Sequence, residues 1–432
     1  MKIASRAFLA VLVSVLIASN AAKAGVYEAG FGPRAIGMGQ AQVGAGNDPS
    51  AVFYNPACLV QARDRWEING SSMVVQYGRG TYKSALELNG VNQAYPDTVA
   101  TNLGVMIPVG KRVTAGLSLY MPEAWTLMIL LNSGPRFVRY TQTQVPNGTY
   151  GIGIKVTKKF SIGIAQSVAP QWDFTTVTLD INSILAGMGL SLGEPRVNGN
   201  PHMEMDTLLG FNYQFGALYR PFKWLSLGVD YRYKIGTRAV IPLYFPAGLV
   251  PETNVLVDVN MSWRPTRWSF GVGIYPTDEI TVAFDMDYEM WSKINYPYMK
   301  FTSSSNFLNV TSTEFDLKNV WVPKVGFEYH RKMKGKLSRA EYAARAGYIY
   351  YKSPYPEMPK DTWYIDNDAN FLTSGISLGY RPKRVFRYIG FDYYFEYMAM
   401  VKRDHTDLTR TPSMIESDGN VTYNGFSVTI QL

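Results

Sequence analysis

The sequence predicts an all-β protein, a fourteen-stranded antiparallel transmembrane β-barrel with an N-terminal plug in the lumen. Three observations carry that prediction. An export signal is followed by no spanning helix, apolar and polar residues alternate with period two from about residue 66, and the connections between alternating segments are long and short in turn.

The export signal comes first. Lys2 and Arg6 precede the apolar run from Phe8 to Ala18, and Ala22-Lys23-Ala24 fits a small-x-small cleavage site before Gly25. Residues 1–24 therefore read as a signal peptide. Beyond them no stretch reaches the roughly 18 uncharged apolar residues that a spanning helix requires, so an exported chain without a helical anchor is expected. The 432 residues include 30 Tyr, 9 Trp and 38 Gly, a composition suited to two-faced strands with aromatic residues at a membrane boundary. No Ser/Pro/Gly tract or charge block divides the chain, and residues 66–432 are expected to form one unit. The single cysteine, Cys58, excludes an internal disulfide framework and a multi-cysteine metal site. The formal charge of +8 is reduced once Lys2, Arg6 and Lys23 leave. Many remaining cations sit in short turns, such as Lys158-Lys159 and Arg381 to Arg384, and no basic helix or zinc knuckle points to nucleic acid.

The alternation is clearest over 280–291. Ile280, Val282, Phe284, Met286, Tyr288 and Met290 fall on one face, with Thr281, Ala283, Asp285, Asp287 and Glu289 on the other. At the end of the chain Phe426, Val428, Ile430 and Leu432 oppose Gly425, Ser427, Thr429 and Gln431 in the same manner. Strands are expected at 66–78, 98–108, 112–121, 149–157, 160–178, 207–219, 223–236, 254–275, 279–291, 319–329, 341–351, 370–380, 387–399 and 421–432. Between them, 79–97, 122–148, 179–206, 237–253, 292–318, 352–369 and 400–420 are long. By contrast 109–111, 158–159, 220–222, 276–278 and 381–386 are short, and 330–340 is intermediate. An even strand number with turns sorted by length matches a bacterial outer-membrane barrel, with short periplasmic turns and long outer loops. A soluble sandwich has no reason to sort its loops.

The polar faces then say what lies inside. Asp230, Arg232 and Lys234 share one face of 223–236, opposite Val229, Tyr231, Tyr233 and Ile235. Lys324, Glu328, Arg345, Asp392 and Glu396 likewise lie opposite the apolar set of their strands. Mid-strand charges facing lipid cost several kcal/mol each, so these point inward, where opposite signs can pair. A polar, charged and filled lumen is expected.

Residues 25–65 do not alternate. They contain Arg34-Ala35-Ile36-Gly37-Met38-Gly39 and, after Asn47-Asp48-Pro49, the run Phe53-Tyr54-Asn55-Pro56-Ala57, a glycine-rich sequence suited to tight turns and close backbone packing. Here the chain resembles the FadL/TodX family of outer-membrane long-chain fatty-acid and hydrocarbon transporters. The Arg-Ala-x-Gly-Met-Gly run, with Gly37, Met38 and Gly39, and the tripeptide Asn55-Pro56-Ala57 are similar to that family's N-terminal hatch. The resemblance continues through Tyr231-Arg232, Trp291-Ser292, Ser353-Pro354 and Met358-Pro359, so it spans nearly the whole mature chain. Cys58 stands where a small residue is usual, and Leu432 ends the chain where an aromatic is typical. The resemblance implies a barrel closed by the hatch, a surface groove between outer loops, an inner pocket and sideways exit into the membrane.

Residues for capture can be named independently. Loop 179–206 carries Ile181, Ile184, Leu185, Met188, Leu190 and Leu192, which could form an amphipathic helix, and loop 237–253 carries Ile241, Leu243, Tyr244, Phe245, Leu249 and Val250. Trp125 to Leu131 is a third apolar stretch. Such clusters mark interaction surfaces or pack as small loop cores. For a ligand carboxylate, Arg232 and Arg345 offer forked two-bond contacts, although for each residue singly neutralising Asp230, Asp285, Asp287 and Glu328 is the reading to be preferred.

Signatures of catalysis are weak. Gly375-Ile376-Ser377-Leu378-Gly379 matches a nucleophile elbow, but it lies inside an alternating strand with no helix after it. His202, His330 and His405 fall at three different connections, and Asp285, Asp287 and Glu289 read as lumen lining rather than as acid–base or calcium groups. No cofactor is expected. The leading expectation is a passive outer-membrane channel for long-chain fatty acids or other hydrophobic small molecules. Its partners would be that ligand, outer-membrane lipid and lipopolysaccharide, and the barrel assembly machinery. A diffusion porin for polar solutes, a structural or secretion-associated barrel and an outer-membrane lipase are the alternatives.

Overall fold

A strand with one lipid-facing side must have both edges paired, because an open edge in hydrocarbon leaves backbone N–H and C=O groups unsatisfied. The chain meets this by closing on itself. The structure is a computed structural model that describes residues 30–62, 65–77, 81–84, 92–93, 98–121, 126–131, 136–141, 147–174, 177–178, 205–245, 253–293, 299–303, 317–354, 367–382, 386–406 and 414–432. Fourteen antiparallel strands form the wall. They are β1 (Glu67–Tyr77), β2 (Thr98–Val109), β3 (Val113–Met121), β4 (Asn147–Lys155), β5 (Phe160–Phe174), β6 (Met205–Phe222) and β7 (Leu225–Arg232). The second half comprises β8 (Arg267–Thr277), β9 (Ile280–Glu289), β10 (Val320–Lys332), β11 (Ala340–Tyr351), β12 (Ala369–Tyr380), β13 (Tyr388–Thr406) and β14 (Met414–Gln431). Each pairs with its sequence neighbour, and β1 pairs with β14 from Glu67↔Gln431 to Tyr77↔Val421. No helix among the described residues is long and apolar enough to cross a membrane.

The pleat sorts the side chains as the alternation requires. On β14, Phe426 is 67% exposed and Val428 41%, whereas Ser427 and Thr429 are buried. Exposed aromatics gather near the short-turn ends of strands, as at Trp66, Phe222, Trp224 and Tyr380, and again near the other edge, as at Tyr213, Tyr233, Trp268 and Trp321. Two such girdles mark the water boundaries of a barrel in a bilayer.

The expected strands 223–236 and 254–275 need correction. β7 stays in register with β6 only as far as Gln214↔Arg232. There the Asn212 side chain donates to the Tyr233 carbonyl (3.0 Å), occupying the acceptor that the next rung of the β6–β7 ladder would use. The chain bends and continues as a hairpin, Ile235–Phe245 against Thr253–Arg264, so Ile235 is buried instead of lipid-facing. Pro265, which lacks a donor, separates that hairpin from β8. Most of the expected loop 237–253 is therefore strand, and Leu243 and Phe245 sit in it; β-branched and aromatic residues there favour extended backbone. In the connection 122–148, strands Thr126–Leu131 and Arg136–Thr141 pair with each other and extend to Asn92–Gln93. Residues 179–204, with Ile181, Ile184, Leu185, Met188, Leu190, Leu192 and the expected helix, lie outside the described residues. So do Trp125, Leu249, Val250 and the segment 1–29.

Inside the ring lies the N-terminal segment. Helix α1 (Pro33–Gly37) begins with Pro at its first position, where the missing N–H has no partner to lose. It stops where Gly39 and Gln40 take positive φ angles of 58° and 59°. Helix α2 (Ala51–Tyr54) leads through Asn55 into a 3-10 turn, Pro56–Ala62. Nearly every residue from 30 to 62 is buried.

Candidate functional site

The segment reaches the wall by backbone contact. Several inward-facing strand positions opposite it are glycines, and a Cβ there would strike the segment itself. One on Gly347 would lie 2.1 Å from the Gly39 nitrogen, one on Gly326 2.3 Å from the Met38 oxygen, and one on Gly228 2.0 Å from the Val43 oxygen. Gly39 needs its own lack of a side chain twice over, because its φ is positive and a Cβ would come within 2.7 Å of the Val325 carbonyl. The Thr373 hydroxyl accepts from the Gly39 amide (3.0 Å) and donates to the Gly37 carbonyl (3.2 Å).

Asn55, Pro56 and Ala57 form the second attachment. The Asn55 carboxamide accepts from the Ala57 amide (3.0 Å) and donates to Val43 (2.8 Å) and Ala217 (3.1 Å) carbonyls, tying two stretches of the segment to β6. Pro56 and Ala57 abut Gly163, close to the short turn between β4 and β5. Cys58 follows, fully buried, its thiol directed at the Val43 carbonyl (3.4 Å) and pushed up to about 12 by burial.

Charges fix the segment laterally. Arg34 makes a forked contact with Glu328 (3.0–3.1 Å) and donates to Gln42 (2.6 Å). Arg345 contacts the same Glu328 (2.6 Å) and reaches Asp392 (3.4 Å), which also accepts from Ser427 (2.9 Å) and from Ser377. Ser377, the serine of the Gly-Ile-Ser-Leu-Gly match, is thus a lumen-facing strand residue in an ionic network. On the other side Lys324 (2.6 Å) and Arg267 (3.4 Å) share Asp287, and Asp285 accepts from the Val43 amide (2.8 Å). Asp230 accepts from Gln214 (3.0 Å), while the Arg232 guanidinium lies 4.4 Å over the Phe53 ring. Both proposed carboxylate clasps therefore already have partners: Arg345 holds two carboxylates, and Arg232 lies against the segment's aromatic face. Removing one member of such a buried pair costs about 3–5 kcal/mol, because the other is left uncompensated.

The polar lumen expected from the alternation holds for only part of the barrel. Along β10 the inward face runs Val320, Val322, then Lys324 and Glu328. On β11 it runs from Tyr351 and Ile349 to Arg345 and Glu341, and on β14 from Val421 and Tyr423 to Ser427 and Thr429. The loop-side half of this wall is thus mostly apolar, with Glu396 buried between Tyr394 and Met398 on β13 as its charged exception, and the turn-side half is charged. Met73, Phe371, Tyr394 and Met398 join the apolar cluster, and Ile36 of α1 packs into it from the segment. On the turn side a cavity of about 700 Å³ is lined by Arg34, Glu328, Arg345, Asp392, Glu341 and Tyr388, among others. The segment separates the two. The sequence does carry a signal for the apolar wall. Alternation disappears at Val320-Trp321-Val322-Pro323 and Tyr348-Ile349-Tyr350-Tyr351, as it does where both strand faces meet apolar surroundings. Among the described residues no group of three or more His, Cys, Asp and Glu side chains is placed to hold a metal ion.

A closed barrel with an internal N-terminal segment and a largely apolar loop-side wall has known counterparts. The family described as outer membrane protein transport protein (OMPP1/FadL/TodX) matches residues 14–432. The chain belongs to that family. It is an outer-membrane protein of a transporter family. Its fold is similar to that of a Pseudomonas aeruginosa FadL homologue, at 14% identity and TM-score 0.59 over 94% of this chain and 99% of that one. The P. putida toluene transporter TodX gives 13% identity and TM-score 0.59 over the same shares. The CymD monoaromatic hydrocarbon channel gives 16% identity and TM-score 0.57 over 93% and 98%. At these identities the likeness concerns the fold. No curated protein matches the chain by sequence.

Proposed function

We propose that the protein is a passive channel that carries long-chain fatty acids or other hydrophobic small molecules, aromatic hydrocarbons included, across the outer membrane. One observation carries the reading: on a single wall the lumen changes from predominantly apolar on the loop side to charged on the turn side, with the N-terminal segment between. An apolar solute gains about 25 cal/mol for each Å² removed from water on the first surface, and nothing comparable on the second. Such a solute would collect above the segment and stop there until the segment yields. A diffusion porin keeps an aqueous path where residues 30–62 lie. Catalysis has no part in this reading. Capture belongs to the outer connections, with Ile184, Leu185, Met188 and Leu190 on one and Leu243 and Phe245 on the other. Arg232 and Arg345 are the headgroup partners for a fatty acid. Surrounding lipid, lipopolysaccharide and the assembly machinery complete its partners.

The test places charge in the apolar wall. Val322→Asp and Met398→Glu should each lower uptake of labelled oleate and toluene roughly tenfold or more, because a carboxylate in an apolar lining is strongly desolvated. Assembly is checked by heat-modifiable migration. Uptake unchanged in both assembled variants would remove this wall from the route.

A further inference from the structure

The short-turn rim holds a second feature that the passage does not use. Three consecutive turns carry Lys111 and Arg112, then Lys155, Lys158 and Lys159, then Arg220 and Lys223, with no carboxylate in any of them. They are physically adjacent, since the Lys155 amide donates to the Arg112 carbonyl (2.8 Å) and the Arg220 amide to the Lys159 carbonyl (2.7 Å). Between the last two turns and the 3-10 turn of the internal segment lies a cavity of about 460 Å³. Lys155, Lys158, Lys159, Arg220 and Lys223 line it, and no Asp or Glu does.

Its parts are arranged unequally. The Arg220 guanidinium is held by Gln61 (3.2 Å) and the Lys223 carbonyl (3.2 Å) and lies 5.1 Å over the Tyr275 ring. Lys158, Lys159 and Lys223 are exposed and form no side-chain ion pair among the described residues. The neighbouring turn around Asp278 and Glu279 shows the contrast, because there Arg331 pairs with Glu279 (3.8 Å). Phe160 and Phe222 line the same cavity and are exposed on the lipid face, where the Phe222 and Trp224 rings stack at 5.4 Å. Cations and aromatic rings therefore meet at one point of the membrane boundary.

We propose that this groove binds the phosphate group of an anionic phospholipid from the periplasmic leaflet. Arg220 is the fixed contact and Lys158, Lys159 and Lys223 are the adaptable ones, while Phe160 and Phe222 lie along the first acyl methylenes. A phosphodiester satisfies a rigid fork and mobile ammonium groups together. Each lysine near an anionic surface contributes enough that removing three should weaken binding on the order of 100-fold. A free phosphate shares the headgroup's charge but lacks the chains that reach the aromatic pair.

The experiment uses the full chain in detergent, with phosphatidylglycerol, phosphatidylcholine and inorganic phosphate as probes and native mass spectrometry as the readout. The wild-type chain should retain phosphatidylglycerol in preference to phosphatidylcholine, and millimolar phosphate should not displace it. Lys158→Gln/Lys159→Gln/Lys223→Gln should abolish the preference in a normally assembled barrel. A control on another basic turn, Lys334→Gln/Lys336→Gln, should keep it. Equal retention of both lipids, a triple variant that behaves as wild type, or equal loss in the control would overturn the groove as a lipid site. Displacement by inorganic phosphate alone would overturn the lipid in favour of a free anion.

Discussion

At the scale of single residues, the internal segment is held by groups whose chemistry is altered by what surrounds them, and Cys58 shows this most simply. Its thiol is fully buried beside the Val43 carbonyl, and burial raises its pKa to about 12 because the thiolate loses its hydration there. Near pH 8 the reactive thiolate is then on the order of 1000-fold rarer than for a free cysteine. Maleimide should leave the native barrel unlabelled at that pH and label it at once after thermal unfolding in detergent; rapid labelling of the native barrel would place Cys58 in solvent. Arg34 shows what could and could not be read in advance. Its place in the Arg-Ala-x-Gly-Met-Gly run was visible, but its partner Glu328 lies 294 positions away and no local pattern announces that pair. Arg232 and Arg345 were legible as inward cations for a simple reason, since alternation assigns a face. What each cation touches depends on a segment that does not alternate.

At the scale of elements, alternation determines most of the wall because lipid on one face leaves no other register for an apolar set. The fourteen strands follow from it. It fails where a side chain or a missing donor competes with the ladder, as Asn212 does at the Tyr233 carbonyl past the end of β7 and Pro265 does before β8. Neither event changes the apolar pattern that sequence reading relies on, so 223–236 and 254–275 looked continuous. The inward glycines are a different sort of signal, present in the sequence but meaningful only once the internal segment is in place. Gly228 and Gly347 sit on opposite strand groups, and each admits the segment's backbone where a Cβ would come within about 2.1 Å. Gly347→Val and Gly228→Val should therefore assemble as barrels, because strand formation tolerates valine, yet displace the segment. The expected outcome is a rise in ion conductance in planar bilayers and faster protease cleavage within 30–62, with heat-modifiable migration retained. A closed, protease-resistant variant would show that the segment docks elsewhere.

At the scale of the whole molecule, a closed ring and an internal segment are separate solutions to separate problems. The ring pairs the strand edges in the membrane, whereas the segment fills the lumen. An eight-stranded barrel is filled by its own side chains, and barrels of sixteen strands keep an aqueous channel, so fourteen strands enclose a space their side chains alone leave open. Residues 30–62 occupy it. They also divide the apolar loop-side wall, into which Ile36 packs, from the charged cavity on the turn side. Deleting 30–62 should then have two effects of opposite sign. Ion conductance should rise roughly tenfold, toward that of an open porin, since the turn-side lumen is lined by charges that hydrate readily once Arg34 no longer covers Glu328. Selectivity for hydrophobic over polar solutes should fall, because the wide lumen admits water past the apolar wall and removes the floor against which an apolar solute collects. Single-channel recording gives the first quantity, and competitive uptake of toluene against a disaccharide gives the second. Conductance equal to that of the intact chain would mean that the segment does not obstruct the lumen. A rise in conductance with selectivity unchanged would mean that the apolar wall sorts solutes without a floor, and the segment would then serve only to keep ions out.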